Sequence, residues 1–206
     1  CQILANVGLS PTGVTSPGNF GGKTLAFYAK VAGNAVRQVT GNPTPFFFNN
    51  IVMEGSVPVP VWYLDRSRGT AVGEIVASTG DWTGSWTGYG TVDPDKYITG
   101  DLCGGRLPEL IEAGDPAVLI SHWQGFYGMH NEDRRGFKTL KTVVRRLQEL
   151  DPYGERTRWR KVSEITNYAC AREAATLSAE GLVITLDLPI LAPEFTLRLV
   201  GERPRG

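Results

Sequence analysis

The sequence predicts an α/β fold in which a parallel sheet is covered by helices and a β-hairpin ends the chain. The sheet is predicted because short apolar strands alternate with amphipathic helices along the chain. Two of these strands, residues 45–49 and 117–121, are mainly apolar without alternation, which is typical of strands buried on both faces. The hairpin is predicted because residues 181–188 and 194–200 have the composition of strands and follow the last predicted helix.

The first predicted elements are a helix end, a strand and a long helix. Residues 2–7 carry apolar side chains at the spacing of a buried helix face, and Gly8 supplies a left-handed stop. Because the chain begins inside the last turns of a helix, we expect it to be the C-terminal part of a longer polypeptide. A strand follows at residues 11–17, and a helix at residues 23–39 ends at Gly41.

Two further strands are predicted at residues 57–64 and 72–77, joined by a short polar turn that favours a hairpin. Pro58 and Pro60 cannot donate hydrogen bonds to a strand ladder. The first of these two strands is therefore predicted at the edge of the sheet.

A long loop over residues 78–105 separates the strands from the later helices and is rich in Gly, Thr, Trp and Tyr. A loop of more than ~15 residues in a compact domain is usually functional or disordered, and the aromatic content argues against disorder. Helices are then predicted over residues 107–113 and 135–150, and from a cap at Ser163 through Ala171.

Composition and charge exclude several classes of protein. The chain of 206 residues has 21 Lys and Arg against 21 Asp and Glu, so its net charge is zero. A neutral chain without a long basic run lacks the electrostatic footprint of nucleic-acid binding. Its apolar stretches are far shorter than the ~20 residues that span a bilayer. We therefore expect a soluble chain that binds neither nucleic acid nor membrane.

The cysteines predict neither a metal site nor a disulfide framework. Cys1, Cys103 and Cys170 have no Cys-x-x-Cys spacing and no histidine at ligand spacing. A structural zinc site is therefore not predicted, and an odd number of cysteines does not indicate a disulfide framework.

Candidate catalytic residues follow from the positions of the strands, because functional groups of parallel α/β folds gather at the carboxyl ends of strands. Three segments have that position: residues 15–20, 78–86 and 121–127. His122 is the clearest candidate, since a histidine both donates and accepts protons near neutral pH. Asp81 is the carboxylate that would orient the imidazole. The alternative interpretation is a structural His122 that hydrogen-bonds to the backbone.

Aromatic side chains concentrate in the same segments, and their flat faces suit the binding of sugar rings. His130 lies in a polar run and is expected at the solvated surface. The candidate substrate-binding residues are Phe20, Trp82, Trp86, Tyr89, Trp123, Gln124 and Tyr127.

Three of these segments resemble, in their order, the later motifs of the polysaccharide deacetylase family (carbohydrate esterase family four). Residues 119–122, Leu-Ile-Ser-His, resemble its strand-end motif with the catalytic-acid histidine. Residues 78–82, Ser-Thr-Gly-Asp-Trp, resemble the motif whose aspartate tunes that histidine and whose tryptophan lines the sugar subsite. Residues 15–20 stand where the family has its Arg-x-Pro-aromatic motif, and residues 158–165 resemble its closing strand and helix.

The resemblance covers about residues 2–172 and implies the C-terminal portion of a deformed (β/α) barrel, with a terminal β-hairpin appended. It divides the chain into a partial barrel over residues 1–175 and an appendage over residues 176–206. The implied activity is hydrolytic removal of acetyl groups from a carbohydrate, with His122 protonating the leaving group. The full-length family also uses a divalent metal, in the first place zinc.

The chain departs from the family pattern at several positions. It has neither the Asp-Asp pair nor the His-x-x-x-His pair that bind the metal and supply the base, so no metal ligand is predicted in this chain. No arginine precedes Pro17, and Trp123 follows His122 where the family has aspartate. These departures leave a divergent or inactive branch of the family as open interpretations.

Two other functions remain open at this stage. One is a non-catalytic carbohydrate-binding protein that has lost the metal. The other is an unrelated barrel glycosidase, which needs two carboxylates ~5–10 Å apart, with Asp81 and either Glu74 or Glu132 as the candidates. In either case an open barrel edge predicts aggregation, dimerisation or a remodelled edge.

Overall fold

The computed structural model describes residues 1–15, 24–51, 59–78, 93–127 and 134–197. Within these ranges the chain is a mixed α/β protein with a four-stranded sheet and a separate two-stranded sheet. The predicted α/β class is therefore confirmed. The four-stranded sheet does not close into a barrel within the described ranges.

The bounds of the elements agree with most of the predicted ones to within a few residues. The strands are β1 Gly13–Thr15, β2 Phe46–Ile51, β3 Val61–Asp65, β4 Thr70–Ala77, β5 Thr176–Glu180 and β6 Val183–Asp187. The helices are α1 Gln2–Asn6, α2 Leu25–Thr40, α3 Arg106–Ala113, α4 Trp123–Tyr127, α5 Arg135–Leu150 and α6 Val162–Ala174, with a 3-10 turn at Pro94–Lys96. In the part of the chain that is described, no helix has the length and apolar composition needed to cross a membrane.

The four-stranded sheet has the order β1-β2-β4-β3. Strands β1, β2 and β4 are parallel, and β3 pairs antiparallel with β4 as a hairpin. β3 lies at the edge of the sheet, so the predicted edge position is confirmed, although the strand begins at Val61, after both prolines.

Helices cover both faces of this sheet, because alternate residues of a strand point to opposite faces. On one face Val72 of β4 packs with Leu25 and Ala29 of α2. On the other face Ile75 of β4 packs with Ala169 of α6. The result is three layers, with β4 buried between α2 and α6.

A second apolar cluster lies around α3 and α5. It consists of Tyr97, Ile98, Leu107, Leu110 and Val143. Arg146 of α5 donates to the Asp95 carboxylate and to the Ile98 carbonyl, each at 2.6 Å. These contacts fix the segment that leads from the 3-10 turn into α3.

The predicted strand at residues 117–121 is wrong: this segment has no regular secondary structure. The Ser78 hydroxyl explains the difference, because it accepts the Val118 N–H at 3.0 Å where a strand would offer a backbone carbonyl. The same hydroxyl donates to the Pro116 carbonyl at 3.0 Å. Among the described residues, the backbone hydrogen bond between the two segments runs from the Ser78 N–H to the Val118 carbonyl at 2.7 Å.

The predicted terminal hairpin exists with different strands. β5 pairs antiparallel with β6 across a turn at Gly181, whose φ of +59° suits a tight turn. Residues 181–188, predicted as the first strand of the hairpin, therefore contain its second strand, β6. Residues 194–197 are not a strand, and residues 198–206 lie outside the described residues.

Two helices also differ from expectation, α1 in its burial and α6 in the residue at which it begins. α1 ends near Gly8 at φ +80° as predicted, but its apolar face is open, with Ile3 82% and Val7 68% exposed. Apolar spacing shows that a helix is amphipathic and does not show what covers it. α6 begins at a Lys161 cap, where the Glu164 carboxylate accepts the Lys161 N–H at 2.9 Å, so Ser163 lies inside the first turn.

Candidate functional site

The candidate site is built at the carboxyl end of β4. This strand ends at Ala77, and the next residue, Ser78, is 7% exposed. Ser78 binds residues 116 and 118 through its hydroxyl and its N–H, and its carbonyl accepts the Arg106 Nε–H at 3.1 Å. The end of β4, the start of α3 and the segment that leads to His122 therefore meet at one residue.

His122 lies four residues after Val118 and immediately before α4. Its side chain is partly buried, and its carbonyl accepts the Phe126 N–H at 3.1 Å, which closes the turn that begins α4. The predicted candidate is thus not at a strand end. It sits at a loop-to-helix junction that Ser78 anchors upstream.

α4 carries three of the predicted substrate-binding residues. Gln124 is partly buried, and Tyr127 is 41% exposed. Phe126 holds the helix in place, because its ring packs edge-on against Phe137 of α5 at 5.9 Å between centroids. Trp123 begins α4 with its backbone, and its side chain lies outside what the structure describes.

Several predicted site residues lie outside the described residues. These are Phe20, Asp81, Trp82, Trp86, Tyr89 and Glu132. The pairing of Asp81 with His122, and the aromatic lining of the site, accordingly stay predictions.

Glu74, a candidate carboxylate for a glycosidase, is buried in the middle of β4 with only 1% exposure. The Trp62 indole Nε1–H donates to its Oε2 at 2.7 Å. Register between β3 and β4 shifts between Val61 and Tyr63, so Trp62 lies at a β-bulge, a feature that redirects side chains. A carboxylate enclosed in the sheet and held by an indole is poorly placed to attack a sugar or activate water. Sequence reasoning missed Trp62, since a bulge leaves no signal in an edge strand's apolar pattern.

In the described part of the chain, two carboxyl groups with lowered pKa values accept hydrogen bonds within turns. The Thr99 hydroxyl donates to Asp101 at 2.5 Å and lowers the pKa of that carboxyl group, and the Cys103 N–H adds to the effect. The Ser67 hydroxyl and the Arg68 N–H lower the pKa of Asp65 in the turn between β3 and β4. Groups whose pKa is lowered stay ionised and are poor proton donors, so Asp65 and Asp101 are not candidates for the general acid.

The described residues do not bring together the donor set of a catalytic metal. Among the ranges that the structure describes, no three His, Cys, Asp or Glu side chains come together as a metal-binding group. Over the whole sequence the two histidines, His122 and His130, are eight residues apart, so no His-x-x-x-His pair exists. We therefore derive no chemical step through a metal.

Comparison of the chain with protein-family models, with curated proteins and with solved structures finds no match. Its function is therefore inferred from the residues themselves and from the contacts that position them.

Proposed function

We propose that this chain belongs to a hydrolase that removes acetyl groups from a carbohydrate, with His122 as the proton donor to the leaving group. The observation that supports it is the contact between Ser78 and Val118 at the end of β4. Asp81 follows Ser78 by three residues, and His122 follows Val118 by four. Both candidate catalytic segments therefore start from one hydrogen-bonded pair.

The reaction needs a proton donor at the leaving atom. Water adds to the acetyl carbonyl, the bond from the carbonyl carbon to the sugar nitrogen or oxygen breaks, and acetate leaves. The attacking water loses its proton to solvent, and the departing amine or alkoxide takes a proton from the His122 imidazolium, which solvent then reprotonates, a role that suits histidine near neutral pH. Asp81 would orient the imidazole and stabilise its charged form.

Substrate binding in this proposal depends on stacking and on hydrogen bonding. Gln124 and the exposed Tyr127 ring lie on α4, directly after His122. An aromatic ring and an amide beside a proton donor suit a sugar, which has apolar ring faces and a polar rim. The remaining stacking residues in the proposal are Phe20, Trp82, Trp86, Tyr89 and Trp123.

We also propose that the sheet is the C-terminal portion of a deformed (β/α) barrel over residues 1–175, with residues 176–206 as an appendage. The parallel pairing of β1, β2 and β4, with helices on both faces of the sheet, supports this arrangement.

Acetate release from N-acetylchitotetraose by the natural polypeptide that contains this chain tests the function. We expect His122→Ala to lower kcat/KM by roughly 100-fold or more, the usual contribution of a general acid. His130→Ala is the matched control and should leave the rate unchanged. Equal rates for the two variants would contradict the assignment of His122.

A non-catalytic carbohydrate-binding function is the second candidate, and the exposed Tyr127 ring on the same short helix as Gln124 supports it. It predicts binding of N-acetylchitotetraose in isothermal titration calorimetry without acetate release. Under this alternative Tyr127→Ala weakens binding while His122→Ala has little effect. Under the hydrolase, release of acetate depends on His122.

A further inference from the structure

We infer that Ser78 is a positioning residue that holds the segment leading to His122 against the end of β4, an inference that rests on the proposed function. Ser78 is the first residue after a strand that is buried along most of its length. It is itself 7% exposed. A polar side chain buried at this place must be hydrogen-bonded, and its partners show what it holds.

Each hydrogen-bonding group of Ser78 is in use, and its described partners belong to segments outside the four-stranded sheet. The N–H donates to the Val118 carbonyl at 2.7 Å, and the hydroxyl oxygen accepts the Val118 N–H at 3.0 Å. The hydroxyl proton goes to the Pro116 carbonyl at 3.0 Å. The Ser78 carbonyl accepts the Arg106 Nε–H at 3.1 Å. One serine thus satisfies a complete set of donors and acceptors with two other segments.

The partner segment needs this support. Residues 115–122 have no helix or strand of their own, so no ladder fixes their backbone. Val118 packs on the apolar cluster around Ile75 and Ala169. This contact holds the segment against the sheet but does not fix its position along the strands. The two hydrogen bonds between Val118 and Ser78 fix that position, and His122 follows Val118 by four residues.

Arg106 completes the arrangement from the other side. Its Nη1 also pairs with Glu109 at 3.0 Å, within the first turn of α3. Gly105 precedes it at φ +96°, where a Cβ atom would lie 2.7 Å from the backbone of Tyr97. Because only glycine fits there, the start of α3 lies closely against the backbone of residues 97–98, and the Arg106 side chain links it to Ser78.

The test uses the full chain and nuclear magnetic resonance, with Ser78→Ala, Ser78→Thr and a control. Thr166→Val is the matched control, because Thr166 is a buried hydroxyl that donates to the Val162 carbonyl within α6 at 3.0 Å. We expect Ser78→Ala to accelerate exchange of the Val118 amide proton about tenfold or more. We also expect it to shift the ring resonances of His122, while those of His130 serve as the internal reference.

Ser78→Thr keeps the hydroxyl and should restore both the slow exchange and the His122 resonances, whereas Thr166→Val should change neither. Unchanged His122 resonances in Ser78→Ala would overturn the inference, as would equal effects of Ser78→Ala and Thr166→Val. These readouts need no sugar. If the natural polypeptide neither binds N-acetylchitotetraose nor releases acetate, the proposed function fails, and the resonance experiment still decides the role of Ser78.

Where acetate is released, Ser78→Ala should lower kcat about tenfold with little change in KM, because the proton donor is displaced and the sugar-stacking rings are kept. An equal loss of activity in Thr166→Val would show that lower stability, and not displacement of His122, causes the effect.

Discussion

Glycine at two positions lets the helices approach the sheet. A Cβ atom on Gly33 of α2 would lie 2.3 Å from a methyl carbon of Val72, and one on Gly73 of β4 would lie 2.7 Å from a methyl carbon of Thr166. Both distances are far below a van der Waals contact. The α2–β4–α6 layering therefore depends on these two missing side chains.

Gly33→Ala should lower the free energy of unfolding by about 1–2 kcal/mol, because overpacking of a buried contact outweighs the gain of about 1 kcal/mol in helix propensity. Urea denaturation measures the change. In a Val72→Ala background the clashing methyl groups are absent, so Gly33→Ala should cost less. An equal cost in both backgrounds would contradict the contact.

The cysteines differ in reactivity for a physical reason. Cys170 is fully buried in α6, and burial raises the pKa of its thiol to about 12, with the Glu173 charge adding to the effect. Cys1 and Cys103 are exposed. Because the thiolate is the reactive form, iodoacetamide at neutral pH should modify Cys1 and Cys103 and spare Cys170. Peptide mass spectrometry measures the labelling of each cysteine, and denatured protein is the positive control. Labelling of Cys170 in native protein at a rate comparable to that of Cys1 and Cys103 would refute the prediction.

Asp151 at the end of α5 stabilises the fold in a pH-dependent way. Burial raises its pKa, but hydrogen bonds from the hydroxyl and N–H of Thr157 and from the N–H groups of Glu155 and Arg156 outweigh burial and leave the pKa lowered. A carboxyl group of this kind stabilises the fold above its unfolded pKa of about 4 and loses that contribution as the pH falls through the folded pKa. Asp151→Asn should therefore lower Tm at neutral pH and flatten its fall below about pH 4. Glu180→Gln, on the exposed β5, should leave the Tm profile unchanged in thermal unfolding.

At the scale of elements, the edge strand β3 is tied to β4 by a side chain as well as by its ladder. Trp62 at the bulge donates to the buried Glu74 carboxylate at 2.7 Å. Trp62→Phe should lower the free energy of unfolding by about 1–3 kcal/mol, since a buried hydrogen bond is lost. Trp159→Phe is the control, because Trp159 is 78% exposed and a surface substitution changes stability by less than about 0.5 kcal/mol. Equal effects in denaturant titrations would contradict a role for the bond.

The elements that could be predicted from sequence are those in which backbone and side-chain signals agree. α2 and α5 follow from apolar periodicity with a stop at Gly41, and β3 and β4 follow from a polar turn between strands. Residues 117–121 have the composition of a buried strand, yet the Ser78 hydroxyl occupies the hydrogen-bonding position that a ladder needs. The Ser78 side chain binds the backbone N–H of a residue forty positions away. A local sequence pattern cannot predict such a hydrogen bond.

The strands of the terminal hairpin were predicted at the wrong positions for a related reason. Residues 176–180 alternate polar and apolar side chains, but they directly follow α6, whose periodicity masks the change of element. The turn at Gly181 then sets the pairing, with Leu177 opposite Leu186 and Ala179 opposite Ile184. These four side chains share one face, because cross-strand partners and every second residue do.

At the scale of the whole molecule, apolar surface remains open on this hairpin and on α1. Leu177, Ile184 and Leu186 are exposed on one face of the hairpin, and Ile3 and Val7 on α1. Exposed apolar patches favour association. We predict concentration-dependent self-association, measured by sedimentation equilibrium, that Leu177→Ser with Ile184→Ser weakens. Thr185→Ser on the opposite face is the control, and a monomer at all concentrations would contradict the prediction.

For the candidate site, the sequence could not show how the two predicted segments are held. Residues 78–82 and 119–122 were singled out as separate motifs some forty positions apart, and their function in one site stays a prediction. The structure shows the hydrogen bonds between Ser78 and Val118, and it replaces the expected strand before His122 by an anchored loop. We propose that Asp81 and His122 act together in catalysis.

A double-mutant cycle measures that claim most directly, with kcat/KM for acetate release by the natural polypeptide carrying Asp81→Asn, His122→Ala or both. If the two side chains interact, Asp81→Asn costs much less once His122 is removed, with a coupling of about 0.5–3 kcal/mol. Costs that add to within about 0.5 kcal/mol would contradict a shared site.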